Sequence, residues 1–161
     1  MKNDIIITMQ DGGVIVAELY PATAPLTVAN FLKLIDEKFF DGLIFHRVIE
    51  GFMIQGGGYT ADGDSKDAES IKGEFLANGV ANDLKHSRGV LSMARTSFPN
   101  SASSQFFIMH QDAPHLDGQY AAFGKVKSGM EVVDKIAQTP TNFMDQPVEV
   151  QVIASIRVAT E

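Results

Sequence analysis

Residues 44–58 constrain the fold of this chain more than any other stretch, because their order predicts a β-hairpin. Two short apolar runs flank Glu50-Gly51, which predicts two strands joined by a tight turn. The three glycines at 56–58 are expected to end the second strand. Side chains alternate between the faces of a strand, so the length of the turn decides which residues meet across the hairpin.

Two registers are compatible with this turn. A two-residue loop places Ile49 opposite Phe52, and Arg47 then shares a face with Ile54. A three-residue loop with glycine in the left-handed position places Arg47 directly across from Gln55. We favour the three-residue loop, since Gly51 suits it and a cation is better placed beside an amide than beside isoleucine.

The favoured register assembles a distinctive surface around Arg47. Its guanidinium stays charged and offers several donors, Gln55 adds a carboxamide, and Met53 adds an adaptable thioether with Phe52 nearby. Such a surface can hold an apolar ring while it donates hydrogen bonds to an amide. The alternative is an ordinary hairpin from which Arg47 reaches into water, and this stretch alone leaves that alternative open.

Composition narrows the class of protein. The chain has 161 residues, 45% of them hydrophobic and 20% charged, which predicts one compact domain over residues 1–161. The net charge of −7 argues against nucleic acid as a partner, and no apolar run is long enough for a membrane span. The chain has no cysteine, so disulfides and thiol chemistry are excluded. We expect a cytoplasmic protein that acts as a monomer.

Short strands dominate the remainder of the pattern, with one helix near each end. Helices are predicted at 22–36, with Thr23 as the cap and Pro25 in the first turn, and at 129–137. The polar segment 59–88 is expected to be a functional loop, a lid or a surface insertion. Further strands are predicted at 4–9, 14–20, 89–94, 104–109, 122–126 and 147–158. Antiparallel strands in this number usually form a barrel or a sandwich.

The strand at 104–109 should present two different faces. Alternation places Phe106 and Ile108 on one side and Gln105, Phe107 and Met109 on the other. We expect Phe106 and Ile108 in the core and Phe107 accessible. The accessible face then repeats the pairing of an amide with an aromatic ring seen in the hairpin.

Four motifs, in this order along the chain, carry a resemblance to a known family. They are Phe45-His46-Arg47-Val48-Ile49 with Phe52-Met53-Ile54-Gln55-Gly56-Gly57, Ser104-Gln105-Phe106-Phe107-Ile108, Leu116-Asp117-Gly118, and Phe123-Gly124-Lys125-Val126. Together they resemble the cyclophilin family of peptidyl-prolyl isomerases. The resemblance implies a mainly β fold, a closed eight-stranded antiparallel β-barrel capped by two α-helices. It implies isomerase activity on Xaa-Pro bonds without cofactor or metal, and proline-containing peptides and protein clients as partners.

The resemblance also assigns site residues. It implies that Arg47 is catalytic and that Gln55 steadies it. Arg95 would contribute mainly its backbone to the groove. The residues implied to bind substrate are Phe52, Met53, Ala94, Arg95, Gln105, Phe107, Leu116, His115 and Tyr120.

The sequence departs from the best-known eukaryotic members at the groove. His115 stands where those members have a tryptophan, and Tyr120 stands where they have a histidine. The segment 95–100 carries an apparent extra residue. These departures predict that cyclosporin binds, but weakly.

Two other classes of function are alternatives to an isomerase. A chaperone or scaffold module could use the same groove to bind proline-containing clients, with turnover incidental. A hydrolase or metal enzyme is disfavoured, because the four histidines show neither HExxH nor paired ligand spacing and Ser104 lacks a nucleophile-elbow motif.

Overall fold

The computed structural model describes residues 3–159, so the outermost residues of the predicted domain lie outside it. Its strands are β1 (Asp4–Met9), β2 (Val14–Leu19), β3 (Leu43–Ile49), β4 (Met53–Thr60), β5 (Val90–Met93), β6 (Phe106–Met109), β7 (Ala122–Ser128) and β8 (Ile153–Val158). Its helices are α1 (Pro25–Asp36) and α2 (Met130–Ala137). Among residues 3–159, no helix is both long and apolar enough to cross a bilayer.

The eight strands form one antiparallel sheet in the order β3-β4-β6-β5-β7-β2-β1-β8. The two edge strands approach each other, and Ile44 of β3 bridges to Val152 just before β8. The Phe45 N–H donates to the Gln151 carbonyl at 3.0 Å, which continues this seam. The sheet is therefore a nearly closed barrel, and the predicted fold class is confirmed.

Aromatic rings fill the barrel and attach α1 to it. The ring of Phe31 on α1 lies 5.2 Å from Phe106 and 5.1 Å from Phe123, in tilted and edge-on arrangements that aromatic pairs favour. Phe40 lies 4.9 Å from Phe31 and is also buried. One face of α1, which includes Phe31, is therefore part of the barrel core.

A second apolar group, here called the outer cluster, lies on the outer face of β4, β5, β6 and β7. It consists of Met53, Val90, Phe107, Met109, Ala113, Leu116 and Ala122. Its strand residues alternate with core residues along the same strands, and Ala113 and Leu116 join them from the segment before β7. The outer cluster gives the barrel wall a firm apolar surface outside its core.

Three local predictions were wrong. Helix α1 is preceded by Ala24 with no side-chain cap, so Thr23 does not cap it, although Pro25 does open it. The glycines at 56–58 lie inside β4 and do not end it. The last strand covers only Ile153–Val158, and Val148 and Val150, which were predicted to belong to it, are exposed.

The long segment 59–88 has few apolar side chains, and buried polar groups anchor it to the barrel instead. The Glu74 carboxylate accepts hydrogen bonds from the Thr27 amide and hydroxyl of α1, at 2.6 and 2.7 Å. The Asn82 amide donates to the carbonyls of Glu74 and Ala122, each at 2.9 Å. Buried hydrogen bonds of this kind hold the segment against the barrel beside the outer cluster.

Candidate active site

The β3–β4 hairpin adopts the three-residue turn. Ile49 pairs with Met53 and Arg47 pairs with Gln55, so the register favoured from the sequence is confirmed. Gly51 has φ +81°, the left-handed conformation that this loop requires. The alternative pairing of Arg47 on one face with Ile54 does not occur.

A pocket of about 150 Å³ opens on the outer cluster beside Arg47. Strands β3, β4 and β6 supply its lining, together with the β3–β4 turn, the residues after β5 and the segment before β7. The lining residues are Arg47, Phe52, Met53, Gln55, Ala94, Arg95, Phe107, Leu116 and Tyr120. All of them belong to the set that the resemblance implied.

The other two implied residues lie next to this pocket. Gln105 lines an adjoining cavity, which shares Gln55, Ala94 and Arg95 with the first and is otherwise lined by hydroxyl side chains. His115 is exposed, with its ring 5.8 Å from that of Phe52 at the rim of the pocket. The structure therefore brings the whole implied set to one surface.

Phe107 forms the floor of the pocket, and its predicted accessibility was wrong. Only 4% of the residue is exposed, because Tyr120 packs edge-on against its ring at 5.7 Å and His86 stacks behind it at 6.0 Å. Its face of β6 was predicted correctly, since it belongs to the outer cluster while Phe106 belongs to the barrel core. The burial of Phe107 results from contacts with residues that are distant in the chain.

Arg47 presents an uncommitted guanidinium at the edge of the pocket. The residue is exposed, and among residues 3–159 its side chain has no hydrogen-bond or ion-pair partner. The implied contact in which Gln55 steadies Arg47 is absent among those residues: the Gln55 amide donates instead to the Gln105 side chain at 3.0 Å. The guanidinium donors are consequently available to a ligand.

Arg95 contributes its side chain as well as its backbone, contrary to the expectation. Its guanidinium lies 4.7 Å from the centre of the Phe75 ring and 4.8 Å from that of Tyr120. Its Nη2 also donates to the Gln119 carbonyl at 2.7 Å. These contacts fix Tyr120 as a wall of the pocket and tie the segment 59–88 to it.

His86 stands behind the pocket and was missed by sequence reasoning. Its Nδ1 lies 3.1 Å from Asp117 and its Nε2 lies 2.8 Å from the Ser92 hydroxyl, a pattern that suits a neutral imidazole. Burial lowers the pKa of His86, against the opposing effect of Asp117. Asp117 falls in a motif that the sequence singled out, but no local spacing linked it to His86.

His46 lies on the other side of β3 from the pocket. It is the extra residue of a bulge between Phe45 and Arg47, which face Gly56 and Gln55. Burial lowers the pKa of His46 to about 4, and the neighbouring Arg47 charge adds to this effect. His46 is thus neutral near pH 7, and the positive charge at this end of β3 is that of Arg47.

The metal-site alternative gains no support from the geometry. Among residues 3–159, no three His, Asp or Glu side chains converge as a metal-binding group.

Comparison with known proteins places the chain in a family. The model of the family described as cyclophilin type peptidyl-prolyl cis-trans isomerase/CLD matches residues 5–158. The chain belongs to the cyclophilins. A peptidyl-prolyl cis-trans isomerase of Acinetobacter baylyi is 45% identical over 163 residues, covering 93% of this chain and 84% of that protein. Peptidyl-prolyl cis-trans isomerase B of Bacillus subtilis is 48% identical over 123 residues, covering 76% of this chain and 82% of that protein.

A solved cyclophilin shows the same architecture. The crystal structure of a Cryptosporidium parvum cyclophilin type peptidyl-prolyl cis-trans isomerase, determined in the presence of the dipeptide Ala-Pro, superposes with a TM-score of 0.84. It is 30% identical, and the match covers 98% of this chain and 99% of that one. The barrel and the positions of the two helices are therefore those of a cyclophilin.

Proposed function

We propose that this cyclophilin catalyses cis–trans rotation of Xaa-Pro peptide bonds, with Arg47 as the catalytic hydrogen-bond donor. One observation carries the proposal: the guanidinium of Arg47, free of protein partners among residues 3–159, stands at the edge of a pocket of about 150 Å³ that is lined in part by aromatic and aliphatic side chains. Membership of the isomerase family and the names of the relatives support it.

The reaction requires no nucleophile and no general base, because no covalent bond breaks. Amide resonance sets a barrier of about 18–20 kcal/mol to rotation about the peptide bond. Twisting the bond localises a lone pair on the proline nitrogen and makes the carbonyl more ketone-like. A catalyst must stabilise this twisted form more than the planar one. The Arg47 guanidinium can donate to it and keeps its charge.

The pocket supplies the second requirement, which is a fixed proline ring. Phe52, Met53, Phe107 and Leu116 offer an apolar surface on which the ring can rest while the acyl side turns. The same surface excludes water, so the field of the guanidinium is less screened. Each tenfold acceleration needs about 1.4 kcal/mol, and one charge-assisted hydrogen bond is of the right order to supply several such factors.

Gln55 is proposed as a positioning residue. Its amide nitrogen is engaged with Gln105, while its carbonyl oxygen accepts no hydrogen bond from residues 3–159. That oxygen lies across the hairpin from Arg47, where it can accept from the guanidinium once a substrate orders it. Gln105 and Gln55 would then form a short amide relay along the groove.

Substitution of Arg47 tests the proposal. We expect Arg47→Ala to lower kcat/KM for a short Ala-Pro peptide by about 10²–10³-fold, the size of effect seen when one transition-state donor is removed. Arg47→Lys keeps the charge but loses the planar fork, so it should fall between the wild type and Arg47→Ala. A protease-coupled assay gives the rates, and a binding titration with the same peptide should show a smaller loss.

The same experiment separates catalysis from binding alone. A chaperone or scaffold module would tolerate Arg47→Ala in client-binding assays and would show little turnover in the wild type. If the wild type isomerises the peptide and Arg47→Ala does so equally well, Arg47 is not the catalytic donor.

Proline-containing peptides and folding proteins are the proposed partners, and the chain is proposed to act as a monomer in the cytoplasm. The relative solved in the presence of Ala-Pro supports the first part. Weak cyclosporin binding is proposed on the same pocket, with His115 at its rim.

A further inference from the structure

A buried histidine outside the pocket holds the turn that carries Phe52. His110 directly follows β6, and only 5% of it is exposed. Its backbone N–H donates to the Phe52 carbonyl at 2.8 Å. Its ring Nδ1 accepts from the Gly51 N–H, also at 2.8 Å. His110 thereby makes hydrogen bonds to two peptide groups of the β3–β4 turn, one on each side of the Gly51–Phe52 peptide.

The other ring nitrogen of His110 contacts helix α2. His110 Nε2 lies 3.1 Å from Oδ1 of Asp134. Arg88 holds the same carboxylate with two hydrogen bonds, at 2.7 and 2.8 Å, and also donates to the His110 carbonyl at 2.9 Å. The Asp134 carboxylate is therefore fixed in place by Arg88 and can hold the imidazole in one orientation.

These contacts define which protonation state of the His110 ring allows its hydrogen bond with the Gly51 N–H. A backbone N–H can only donate, so Nδ1 must carry a lone pair toward Gly51, and the ring proton must sit on Nε2 facing Asp134. A second proton on Nδ1 would point at the Gly51 N–H, and two donors would then face each other. The hydrogen bond to the turn exists only with the neutral ring.

We propose that neutral His110 is a positioning residue for the isomerase reaction, holding Phe52 in the proline pocket through the Gly51–Phe52 turn. Protonation of the ring releases the Gly51 N–H and loosens the pocket wall, so the enzyme loses substrate affinity as the solution is acidified. The proposal rests on the isomerase function proposed above.

The charged groups around the ring come from each element that adjoins it. Asp134 of α2 faces Nε2 directly, and Arg88 pairs with Asp134. Asp112 accepts from the Arg88 backbone N–H at 2.8 Å, and Glu50 precedes Gly51 in the turn.

Two substitutions separate the acceptor from the rest of the side chain. His110→Asn places an amide oxygen near the position of Nδ1, so it keeps an acceptor for Gly51 that does not titrate. His110→Gln places its amide near Nε2, so it reaches Asp134 but leaves Gly51 without an acceptor. The two variants are closely matched in polarity, and each carries a neutral amide.

The test is the pH profile of kcat and KM for a short Ala-Pro peptide between about pH 8 and about pH 5, where histidines titrate. We expect wild-type kcat/KM to fall with acidification, mainly through KM. His110→Asn should stay within about twofold of wild type at pH 8 and lose the histidine-dependent part of the profile. His110→Gln should be lower by about three- to tenfold at every pH, the effect of one lost hydrogen bond. Equal activities of the two variants, or a wild-type profile retained in His110→Gln, would overturn the proposal.

A measurement on the wild type alone covers the case in which a variant does not fold. In NMR titrations the Gly51 amide proton should shift with the same midpoint as the His110 ring. The Gly63 amide, which donates to the Thr60 carbonyl in a distant turn, should not follow that midpoint. If the chemical shift of the Gly51 amide proton does not change with the His110 ring, the proposal is wrong even if isomerisation is observed. Conversely, wild-type protein that does not isomerise the peptide contradicts the proposed function. The NMR result then still tests whether the His110 ring controls the Gly51–Phe52 turn.

Discussion

At the scale of single residues, Phe106 and Phe107 show how adjacent side chains in one strand serve different parts of the molecule. Phe106 is buried inside the barrel, while Phe107 is the floor of the pocket on its outer face. Both are almost fully buried, so both contribute to stability. Only Phe107 borders the substrate site.

Alanine substitutions should separate these contributions. Phe106→Ala and Phe107→Ala should each cost about 3–5 kcal/mol of unfolding free energy, as truncation of a buried phenylalanine does. The kcat/KM per folded molecule should stay near wild type for Phe106→Ala and fall for Phe107→Ala. Urea unfolding and a peptide assay corrected for the folded fraction measure the two quantities. A Phe107→Ala variant with normal turnover would remove Phe107 from the site.

The residue at the rim should control cyclosporin affinity. His115 offers a smaller ring than the tryptophan that the resemblance to eukaryotic members would place there, and it lies beside Phe52 without joining the pocket lining. Loss of an aromatic anchor commonly costs about 2 kcal/mol or more, which is over tenfold in affinity. His115→Trp should therefore tighten cyclosporin binding by at least about that factor, with isomerisation of a short peptide nearly unchanged. Side-by-side titrations check this, and equal affinities would show that position 115 does not meet the ligand.

At the scale of elements, β4 has two parts. Residues 53–55 pair regularly with β3 and β6, and three glycines follow at 56–58. Gly57 has φ +91°, and a Cβ there would lie 2.8 Å from the Ser104 carbonyl oxygen and 3.1 Å from the Phe40 ring. Gly58 leaves the space that the Gln105 side chain occupies. The glycines thus bring β4 close to the start of β6 and allow Gln105 to reach Gln55.

This close approach predicts that alanine destabilises the protein more at position 57 than at position 63. Gly63→Ala meets open space at φ +88° and should cost only about 1–2 kcal/mol for the left-handed backbone. Gly57→Ala adds the clash with the Ser104 carbonyl to the same backbone penalty, so its unfolding free energy should fall further. Denaturant titration of both variants provides the comparison. A Gly57→Ala variant no less stable than Gly63→Ala would contradict the packing of β4 against residue 104.

At the scale of the whole molecule, buried histidines make the stability depend on pH. The pKa of His46 is lowered to about 4 and that of His86 is also lowered, in both cases chiefly by burial. An unfolded chain would bind protons at these residues near pH 6.5, so it binds more protons than the folded protein between about pH 4 and 6.5. The stabilisation is complete above that window and is lost as the pH falls through it.

Urea unfolding at several pH values tests this dependence. The unfolding free energy should decline from about pH 6.5 towards about pH 4, and the slope should be shallower for His46→Gln. Above the window, at about pH 7, the unfolding free energies of the wild type and His46→Gln should run parallel, because neither His46 state binds a proton there. A carboxylate such as Asp41, whose pKa is lowered by its hydrogen bonds to Arg157, affects stability only at lower pH. A flat profile across the window would show that His46 titrates normally.

Local sequence determined the faces and the register of this protein. Alternation along β6 separated Phe106 from Phe107, and Gly51 together with the better placement of a cation beside an amide favoured the turn that sets Arg47 across from Gln55. Both depend on dihedral preferences and on a two-residue period, which act within a few positions of the chain. The motifs then placed the pocket residues on the strands that carry them.

Only the tertiary structure decided how deeply the site residues are covered and what holds them. Phe107 is buried because His86 and Tyr120 come to it from other segments. Gly51 finds its acceptor in His110, which is 59 residues away in the chain, and His86 finds Asp117 at a distance of 31 residues. The strand β8 begins only at Ile153, and Val148 and Val150 before it are exposed although they alternate along the chain as strand residues do. Burial and side-chain hydrogen bonds depend on which distant segments the folded barrel brings together, and no local period encodes that.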